Sequence, residues 1–340
     1  MPRHHFVRRF LRGEAEVTER DGDRWLDGVY ADEVLLTACR PAGAAGPELP
    51  TSSSSQPAIM AVMLDRLAAT AGMSVLEIGT GTGYNAALLC YRLGDHRVTS
   101  VDLDPELTAL ADRRLAELGY RPTVRPADGA LGWPERAPYD RILATCAVGA
   151  VPPAWVRQVA DGGRIVAPFA GGGLLVLDKT APDEVTGRFD PAAALFMPLR
   201  QRIEDPLGLG ERPDSADLRP VRHGTTVLDP ARLSTADPEL QLWLELHLTG
   251  LRVRRGRHSV VVRTAEAEAR VGRRDERGRW PVQQRGDRAI WDAVVAALAA
   301  WDRFGHPVRT RLGVSASIDP DRQSVWLDAP DGPYSWPLRP

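Results

Sequence analysis

The sequence predicts an α/β fold in which a doubly wound, mainly parallel sheet is followed by a smaller C-terminal α+β domain. Short apolar runs alternate with amphipathic segments from about residue 58 to residue 178, as strands and helices do along a parallel sheet. The alternation then stops at a segment rich in Pro, Gly and mixed charge. We therefore expect a first domain over residues 1–200, a linker over 201–217 and a second domain over 218–340.

The composition argues against a nucleic-acid-binding or membrane protein. Of the 340 residues, 43% are hydrophobic and 26% are charged, with a net charge of -2, so nucleic acid is not an expected partner. No apolar run is long enough to span a bilayer, and the N-terminus lacks a signal-peptide core. Cys39, Cys90 and Cys146 are far apart and form no metal-binding pattern. We expect reduced thiols, no metal site and a cytoplasmic protein.

The chain before the alternating part reads as loops with short ordered pieces, as far as about residue 50. A polar run over 51–55 follows, and an amphipathic helix is predicted over 58–71. Pro57 suits the first turn of this helix, and Ser55 or Gln56 suits its N-cap.

The alternating part contains six predicted strands and three further helices. The strands cover residues 74–78, 97–101, 123–126, 139–145, 164–168 and 174–178, and the helices cover 85–92, 105–118 and 153–159. In the C-terminal domain we expect one helix over 287–301 and strands over 259–263, 268–271, 314–318 and 324–327. Its tryptophans are expected to fill a core rather than to form a peptide groove.

A glycine-rich segment follows the first predicted strand of the sheet, Glu77-Ile78-Gly79-Thr80-Gly81-Thr82-Gly83-Tyr84. Such a turn lets the backbone approach a ligand at the carboxyl ends of the strands. A P-loop would end in Gly-Lys-Ser/Thr, and a dinucleotide fingerprint would have glycine in place of Tyr84. The acidic-x-Gly-x-Gly-x-Gly pattern of S-adenosylmethionine methyltransferases matches at all four positions. A tight turn without a ligand is the alternative.

Two carboxylates follow the glycine loop at the ends of the next strands. Asp102 ends the second strand, where a carboxylate accepts hydrogen bonds from ribose hydroxyls in this class of sheet. Asp128-Gly129 follows the third strand, where the carboxylate would accept from the adenine amino group and the glycine would leave room for the ring. The alternatives are a surface Asp102 near the predicted helix cap Asp104, and a simple Asp-Gly turn. Together, the glycine loop, Asp102 and Asp128-Gly129 predict S-adenosylmethionine as cofactor, in a Rossmann-like class I methyltransferase domain.

Residues 1 to about 199 resemble the protein-L-isoaspartate O-methyltransferases. The similar segments are Pro2–Val7, Ser55-Gln56-Pro57, Val75–Tyr84, residues 127–142 and residues 161–168. The resemblance implies that Ser55 contacts the substrate carboxylate and that the substrate entrance is lined by Thr51, Ser52, Ser53 and Ser54. It implies cofactor contacts from Glu77, Gly79, Thr80, Gly81, Gly83, Asp102, Leu103, Asp128 and Gly129.

The chemistry of a carboxylate acceptor agrees with this resemblance. A carboxylate is already ionised at neutral pH and needs no general base. The protein must hold it in line with the sulfonium methyl group and exclude water. Hydroxyls over Ser53–Ser55 and free amides at the start of the next helix suit a carboxylate cradle. A flexible polar loop is the alternative.

The sequence departs from the family in four places. It starts at about the Pro-Arg segment, so we expect the family's leading helix to be missing or to be cut by a late start assignment. Met60 stands where some relatives carry His. Arg200 stands where relatives often carry a small residue, which predicts an altered substrate mouth. About 140 residues follow Leu199, whereas repair enzymes of the family generally lack such a tail.

The tail resembles that of methyltransferases from bacterial ribosomal peptide maturation systems (lanthipeptide, graspetide and lasso peptide). Those enzymes methylate an Asp side chain, and the ester cyclises to an aspartimide that hydrolyses to isoaspartate. Basic clusters at 252–258 and 270–279 are expected to bind an acidic, macrocyclised precursor, with a solvated basic face as the alternative.

The sequence therefore predicts an S-adenosylmethionine-dependent carboxyl O-methyltransferase that acts on Asp or isoaspartate in a precursor peptide. One alternative is general repair of isoaspartyl proteins. The others are methylation of a small molecule or an RNA base, and a non-catalytic module that presents a peptide.

Overall fold

The computed structural model describes residues 1–13, 15–41, 48–205, 217–233 and 236–338. Within these ranges lie eight α-helices and nineteen strands, and the strands form three sheets. No helix in the described part of the chain is both long enough and apolar enough to cross a membrane. Residues 206–216 of the predicted linker lie outside the described residues.

The N-terminal part is a small antiparallel sheet with two helices. Its elements are α1 (Arg3–Phe6), β1 (Arg9–Arg12), β2 (Ala15–Thr18), α2 (Asp23–Tyr30), β3 (Leu35–Pro41) and β4 (Glu48–Ser54). The strands pair in the order β2-β1-β3-β4 around a core that contains Phe10, Val17 and Val29. The short ordered pieces predicted within loops over residues 1–50 are more extensive than expected and form a sheet, and most of the polar run 51–55 is strand β4. These strands are short and mostly polar, so no period-2 apolar pattern marks them.

The central part is the predicted alternation of strands and helices. Its elements are α3 (Pro57–Leu67), β5 (Val75–Ile78), α4 (Tyr84–Leu93), β6 (Val98–Asp102), α5 (Pro105–Glu117), β7 (Thr123–Pro126), β8 (Tyr139–Ala144), α6 (Pro153–Gln158), β9 (Val159–Phe169), β10 (Gly173–Ala181) and β11 (Glu184–Phe189). Strands β5 to β9 pair in parallel in the order β9-β8-β5-β6-β7. The predicted doubly wound α/β fold is confirmed. Strand β11 was not predicted, because it follows the point at which the alternation stops.

The C-terminal part contains a second antiparallel sheet and two helices. Its elements are β12 (Val221–Thr226), α7 (Pro238–His247), β13 (Arg252–Arg255), β14 (Val260–Arg263), β15 (Glu268–Val271), β16 (Trp280–Arg285), α8 (Ile290–Arg303), β17 (Leu312–Ser317), β18 (Ser324–Leu327) and β19 (Ser335–Pro337). Five of these strands pair in the order β12-β16-β15-β14-β13. The extra sheet-rich part that the sequence predicts is present.

The last three strands do not belong to that second sheet. They extend the central sheet, whose full order is β19-β18-β17-β11-β10-β9-β8-β5-β6-β7. Trp243, Trp291 and Trp301 are buried in the same apolar cluster as Trp155 of the central part. The expectation that C-terminal tryptophans fill a core is thus met at these positions. The central sheet and its apolar cluster both continue past residue 200. The domain boundary at that residue therefore stays a prediction.

A buried arginine ties the N-terminal part together. Arg3 is 1% exposed, and no carboxylate of the described residues lies within ion-pair distance of it. Its guanidinium instead donates six hydrogen bonds of 2.8–3.2 Å, to the carbonyl oxygens of Val29, Ala31, Glu33, Ser54 and Ser55 and to the hydroxyl of Ser54. The end of α2 and the end of β4 are therefore held by one side chain.

We expect Arg3→Met to lower the free energy of unfolding by on the order of 3 kcal/mol, because buried acceptors lose their donor. Urea denaturation measures this value. The matched control is Arg9→Met, whose side chain is 66% exposed and whose replacement should change stability by less than about 0.5 kcal/mol. Equal, small losses in the two variants would show that the buried guanidinium contributes no more than a surface one.

Candidate active site

The glycine loop between β5 and α4 has a backbone that other residues cannot adopt without strain. Gly79, Gly81 and Gly83 have φ values of 96°, 50° and 88°, in the left-handed region that favours glycine. A Cβ atom on Gly79 would lie 2.5 Å from Thr145 Oγ1, and one on Gly83 would lie 3.0 Å from the Cβ of Ala111. The alternating glycines are therefore required by both conformation and space.

A buried carboxylate supports this loop from behind. Glu77 is fully buried and accepts hydrogen bonds from Asn85 Nδ2 at 2.7 Å and from Ser100 Oγ at 2.5 Å. Burial raises the pKa of Glu77 to about 7, although both hydrogen bonds act in the opposite direction. Glu77 is not among the described residues that line the adjacent cleft. The geometry places it as a brace between β5, α4 and β6.

A cleft of ≈ 870 Å³, open on one side, lies between the glycine loop and β4. It contains all five residues that the sequence assigned to the substrate and six of the nine assigned to the cofactor. These are Thr51, Ser52, Ser53, Ser54 and Ser55 on the first wall, and Gly79, Thr80, Gly81, Asp102, Leu103 and Gly129 on the second. Glu77, Gly83 and Asp128 are not among the described residues that line the cleft.

Asp102 ends β6 and is fixed by backbone amides. One carboxylate oxygen accepts from Gly81 N at 2.8 Å and the other from Asp104 N at 3.2 Å. Burial raises the pKa of Asp102, while these amides and the charge of Arg200 act in the opposite direction. Asp104 caps α5, because its carboxylate accepts from Glu106 N at 2.9 Å. Asp102 is thus not the helix cap, and its carboxylate lines the cleft.

Gly129 lies on the cleft wall, one residue after Asp128. Asp128 accepts a hydrogen bond from Ala130 N at 2.9 Å and so caps a short 3₁₀ turn. A Cβ atom on Gly129 would lie 2.6 Å from the side chain of Ile78 and 3.0 Å from that of Leu199. The indole of Trp155 donates to the carbonyl oxygen of Gly129 at 2.8 Å. Hydrogen bonding and close packing therefore fix this turn against the sheet.

The serine run offers two unpartnered hydroxyls to the cleft. Ser52 accepts a hydrogen bond from Thr37 at 3.0 Å, and Ser54 accepts one from Arg3 at 3.2 Å. The hydroxyls of Ser53 and Ser55 have no hydrogen-bond partner among the described residues, and both side chains are half-buried. Of the four serines, these two have both donor and acceptor capacity unused, whereas Ser52 and Ser54 keep only part of theirs.

The start of α3 differs from the expectation. Gln56 is the N-cap residue, but its side chain does not cap the helix. Asp32 supplies the cap, since it accepts from Ala58 N at 2.8 Å and from Gln56 Nε2 at 3.0 Å. The Ala58 amide is therefore not free to form part of a carboxylate cradle, as had been expected of the amides at this helix start. The distant Asp32 carries no local signal for this role.

Of the residues that form the third wall of the cleft, the sequence predicts only Arg200, at the substrate mouth. Thr145 and Cys146 follow β8, and the segment Met197–Arg200 lies beside them. Burial raises the pKa of the Cys146 thiol to about 12, so the thiol is protonated at neutral pH. The end of a parallel strand beside β5 is a place where ligand contacts are expected, and this signal could have identified Thr145 and Cys146.

The comparisons with known proteins agree with this geometry. Residues 30–204 match the family model described as protein-L-isoaspartate(D-aspartate) O-methyltransferase. Protein-L-isoaspartate O-methyltransferase 2 of Anaeromyxobacter sp. (strain Fw109-5) is 39% identical over 185 residues, which cover 53% of this chain and 70% of the relative. The Methylorubrum populi protein-L-isoaspartate O-methyltransferase is 42% identical over 153 residues, which cover 44% of this chain and 70% of the relative.

A solved structure of a protein-L-isoaspartate O-methyltransferase is similar in fold to nearly the whole chain. The likeness covers 93% of this chain and 89% of the other, with a TM-score of 0.53 and 24% sequence identity. It therefore includes most of the C-terminal part.

The family model extends over just over half of the 340 residues. It includes the serine run, the glycine loop, Asp102 and Gly129. The predicted family and the predicted cofactor are confirmed. The chain belongs to the protein-L-isoaspartate(D-aspartate) O-methyltransferase family and is an S-adenosylmethionine-dependent methyltransferase.

Proposed function

We propose that the protein methylates the free α-carboxylate of L-isoaspartyl residues in damaged polypeptides. One observation carries this proposal. The unpartnered hydroxyls of Ser53 and Ser55 share one cleft with the amide-fixed carboxylate of Asp102. An acceptor carboxylate and a methyl donor would therefore be bound side by side.

The reaction asks little acid–base chemistry of the protein. Bound S-adenosylmethionine supplies an electrophilic methyl carbon on a sulfonium. An oxygen of the substrate carboxylate forms the new C–O bond as the C–S bond breaks, and the sulfur keeps that electron pair. The products are a methyl ester and S-adenosylhomocysteine. Positioning and exclusion of water are the main contributions left to the residues of the cleft.

The second wall of the cleft is assigned to the cofactor. In the proposal Asp102 accepts hydrogen bonds from the ribose hydroxyls, while Gly79, Thr80, Gly81, Leu103 and Gly129 contact the cofactor directly. Glu77, Gly83 and Asp128 are assigned to the same cofactor site, although they are not among the described residues that line the cleft. Glu77 braces the glycine loop, and Asp128 holds the turn that presents Gly129.

The first wall is assigned to the polypeptide substrate. Ser55 donates a hydrogen bond to the carboxylate that is methylated, and Ser53 supplies a second donor. Thr51, Ser52 and Ser54 shape the entrance, and the hydroxyls of Ser52 and Ser54 accept hydrogen bonds from Thr37 and Arg3. Hydroxyl donors leave the attacking oxygen with a free lone pair.

A dedicated acidic precursor peptide is the second candidate substrate. The strand register places Arg254 and Arg270 on one row across the five-stranded sheet. A neighbouring row of the same face holds Arg252, Arg263 and Arg285, together with Glu268, which forms an ion pair with Arg263 at 3.8 Å. Such a face would suit an acidic peptide. The solved relative, however, has a similar fold over most of the C-terminal part, so this part alone does not indicate peptide maturation. We therefore place general isoaspartyl substrates, the alternative in the sequence analysis, ahead of the precursor peptide predicted there.

We expect Asp102→Asn to weaken S-adenosylmethionine binding by about tenfold or more, because hydrogen bonds to a charged acceptor contribute roughly 1.5–3 kcal/mol each. Titration calorimetry measures the Kd. The exposed Asp112 provides the matched control, and Asp112→Asn should leave the Kd within about twofold. An unchanged Kd in Asp102→Asn would remove Asp102 from the cofactor site.

We expect Ser55→Ala to lower kcat/KM for an isoaspartyl peptide by about tenfold while the Kd of S-adenosylmethionine changes by less than about twofold. The reason is that the lost hydroxyl contacts the substrate and not the cofactor. Ser335→Ala, on the exposed strand β19, is the control. An equal loss in both quantities would refute the role assigned to Ser55.

A direct comparison of substrates separates the two candidates. Purified enzyme is given a generic linear isoaspartyl peptide and, separately, a macrocyclised acidic peptide that contains ordinary Asp. Mass spectrometry measures the rate of methyl ester formation. We expect faster turnover of the linear isoaspartyl peptide. The cleft is open on one side, and its hydroxyl donors can bind a carboxylate whether or not the peptide is cyclised. Methylation of the cyclised peptide alone would favour the dedicated substrate.

A further inference from the structure

One cationic side chain of the cleft has no role in the proposed reaction. Arg200 lines the cleft near the serine run and is half-buried. Its Nη2 donates to the carbonyl oxygen of Thr51 at 2.9 Å. Within the described ranges this is the one hydrogen bond of its guanidinium.

The backbone that carries Arg200 is fixed to the central sheet. Ala147 N donates to the carbonyl oxygen of Met197, and Leu199 N donates to that of Ala147, each at 2.8 Å. Pro198 also forms a parallel bridge with Ala147. Arg200 therefore extends from a rigid segment on one wall of the cleft and contacts β4 on the other. The central sheet thus fixes the backbone before Arg200, and the hydrogen bond to Thr51 fixes its guanidinium.

The charge of Arg200 acts across the cleft against the rise that burial causes in the pKa of Asp102, but the guanidinium forms no ion pair within the described residues. Arg66, Arg164 and Arg309 each contact a carboxylate, at 2.5, 2.7 and 2.6 Å. In the described part of the chain no carboxylate lies within 4.0 Å of the Arg200 guanidinium. A guanidinium carries five N–H donors in a planar fork that matches a carboxylate. Most of these donors are left for a ligand, and a carboxylate is the ligand that fits them.

We propose that Arg200 is a specificity-determining residue that binds a second carboxylate of the polypeptide, from an Asp or Glu next to the isoaspartyl residue. This inference rests on the proposed function. The carboxylate that is methylated needs one oxygen free, whereas a forked guanidinium would engage both of its oxygens. The unpartnered hydroxyls of Ser53 and Ser55 suit the reacting carboxylate better. Arg200 therefore selects isoaspartyl sites in acidic sequence.

The cofactor also carries a carboxylate, on its methionyl part. The test must therefore distinguish a carboxylate of the peptide from that of the cofactor as the partner of Arg200. Two isoaspartyl peptides are compared that differ only in having Glu or Gln on both sides of the isoaspartyl residue. Each is assayed with the unaltered protein, Arg200→Gln, Arg200→Lys and the control Arg92→Gln, which replaces an exposed arginine at the end of α4. The Kd of S-adenosylhomocysteine is measured for each protein.

We expect kcat/KM of the unaltered protein to be about tenfold higher for the Glu peptide than for the Gln peptide. The ratio should fall to about one in Arg200→Gln, take an intermediate value in Arg200→Lys, which keeps the charge but loses the fork, and stay unchanged in Arg92→Gln. Because each ratio compares two peptides on the same protein, a partly unfolded variant does not distort it.

Three results would overturn the inference. The first is equal use of the two peptides by the unaltered protein. The second is a preference for the Glu peptide that persists in Arg200→Gln. The third is a weakened Kd of S-adenosylhomocysteine in Arg200→Gln with the peptide preference retained, which would assign the guanidinium to the cofactor. Methylation of neither peptide would instead overturn the proposed function, and this inference with it.

Discussion

The cleft depends on the buried guanidinium of Arg3, because this group holds the end of β4 where it meets the glycine loop. Arg3 satisfies the carbonyl oxygens of Ser54 and Ser55 and the hydroxyl of Ser54 without a carboxylate partner. A Cβ atom on Gly81 would lie 3.4 Å from the carbonyl oxygen of Ser53, which shows how closely the two walls approach. One wall thus comes from the N-terminal sheet and the other from the central sheet, and neither forms the site alone.

The polar groups in and beside the cleft divide into those that are satisfied by the protein and those that are not. The carboxylates of Glu77 and Asp102 accept hydrogen bonds from Asn85, Ser100 and backbone amides. Ser53, Ser55 and most donors of Arg200 have no partner within the described residues. Since unsatisfied polar groups in a partly buried site are costly, we propose that ligand groups bind to the second set. Ser53 and Ser55 lie on the wall that we assign to the polypeptide, and Arg200 extends to that wall from the segment Met197–Arg200.

The cofactor wall could be predicted from the sequence because its signals are local. The three glycines of the loop alternate within five residues, and Asp102 ends a parallel strand beside that loop. The N-terminal sheet could not be predicted, since its strands are short and polar and pair over long distances. The capping of α3 by Asp32 and the approach of Met197–Arg200 to Thr145 also depend on tertiary contacts that no sequence spacing records.

The central claim is that this cleft brings the methyl group to one particular oxygen atom. The most direct measurement is the position of the methyl group in the product, determined by fragment-ion mass spectrometry on a peptide that contains both an isoaspartyl and an ordinary aspartyl residue. The account predicts a methyl ester on the α-carboxylate of the isoaspartyl residue and an unmodified aspartyl side chain. A methyl group on the aspartyl side chain, or on any atom outside these carboxylates, would contradict it.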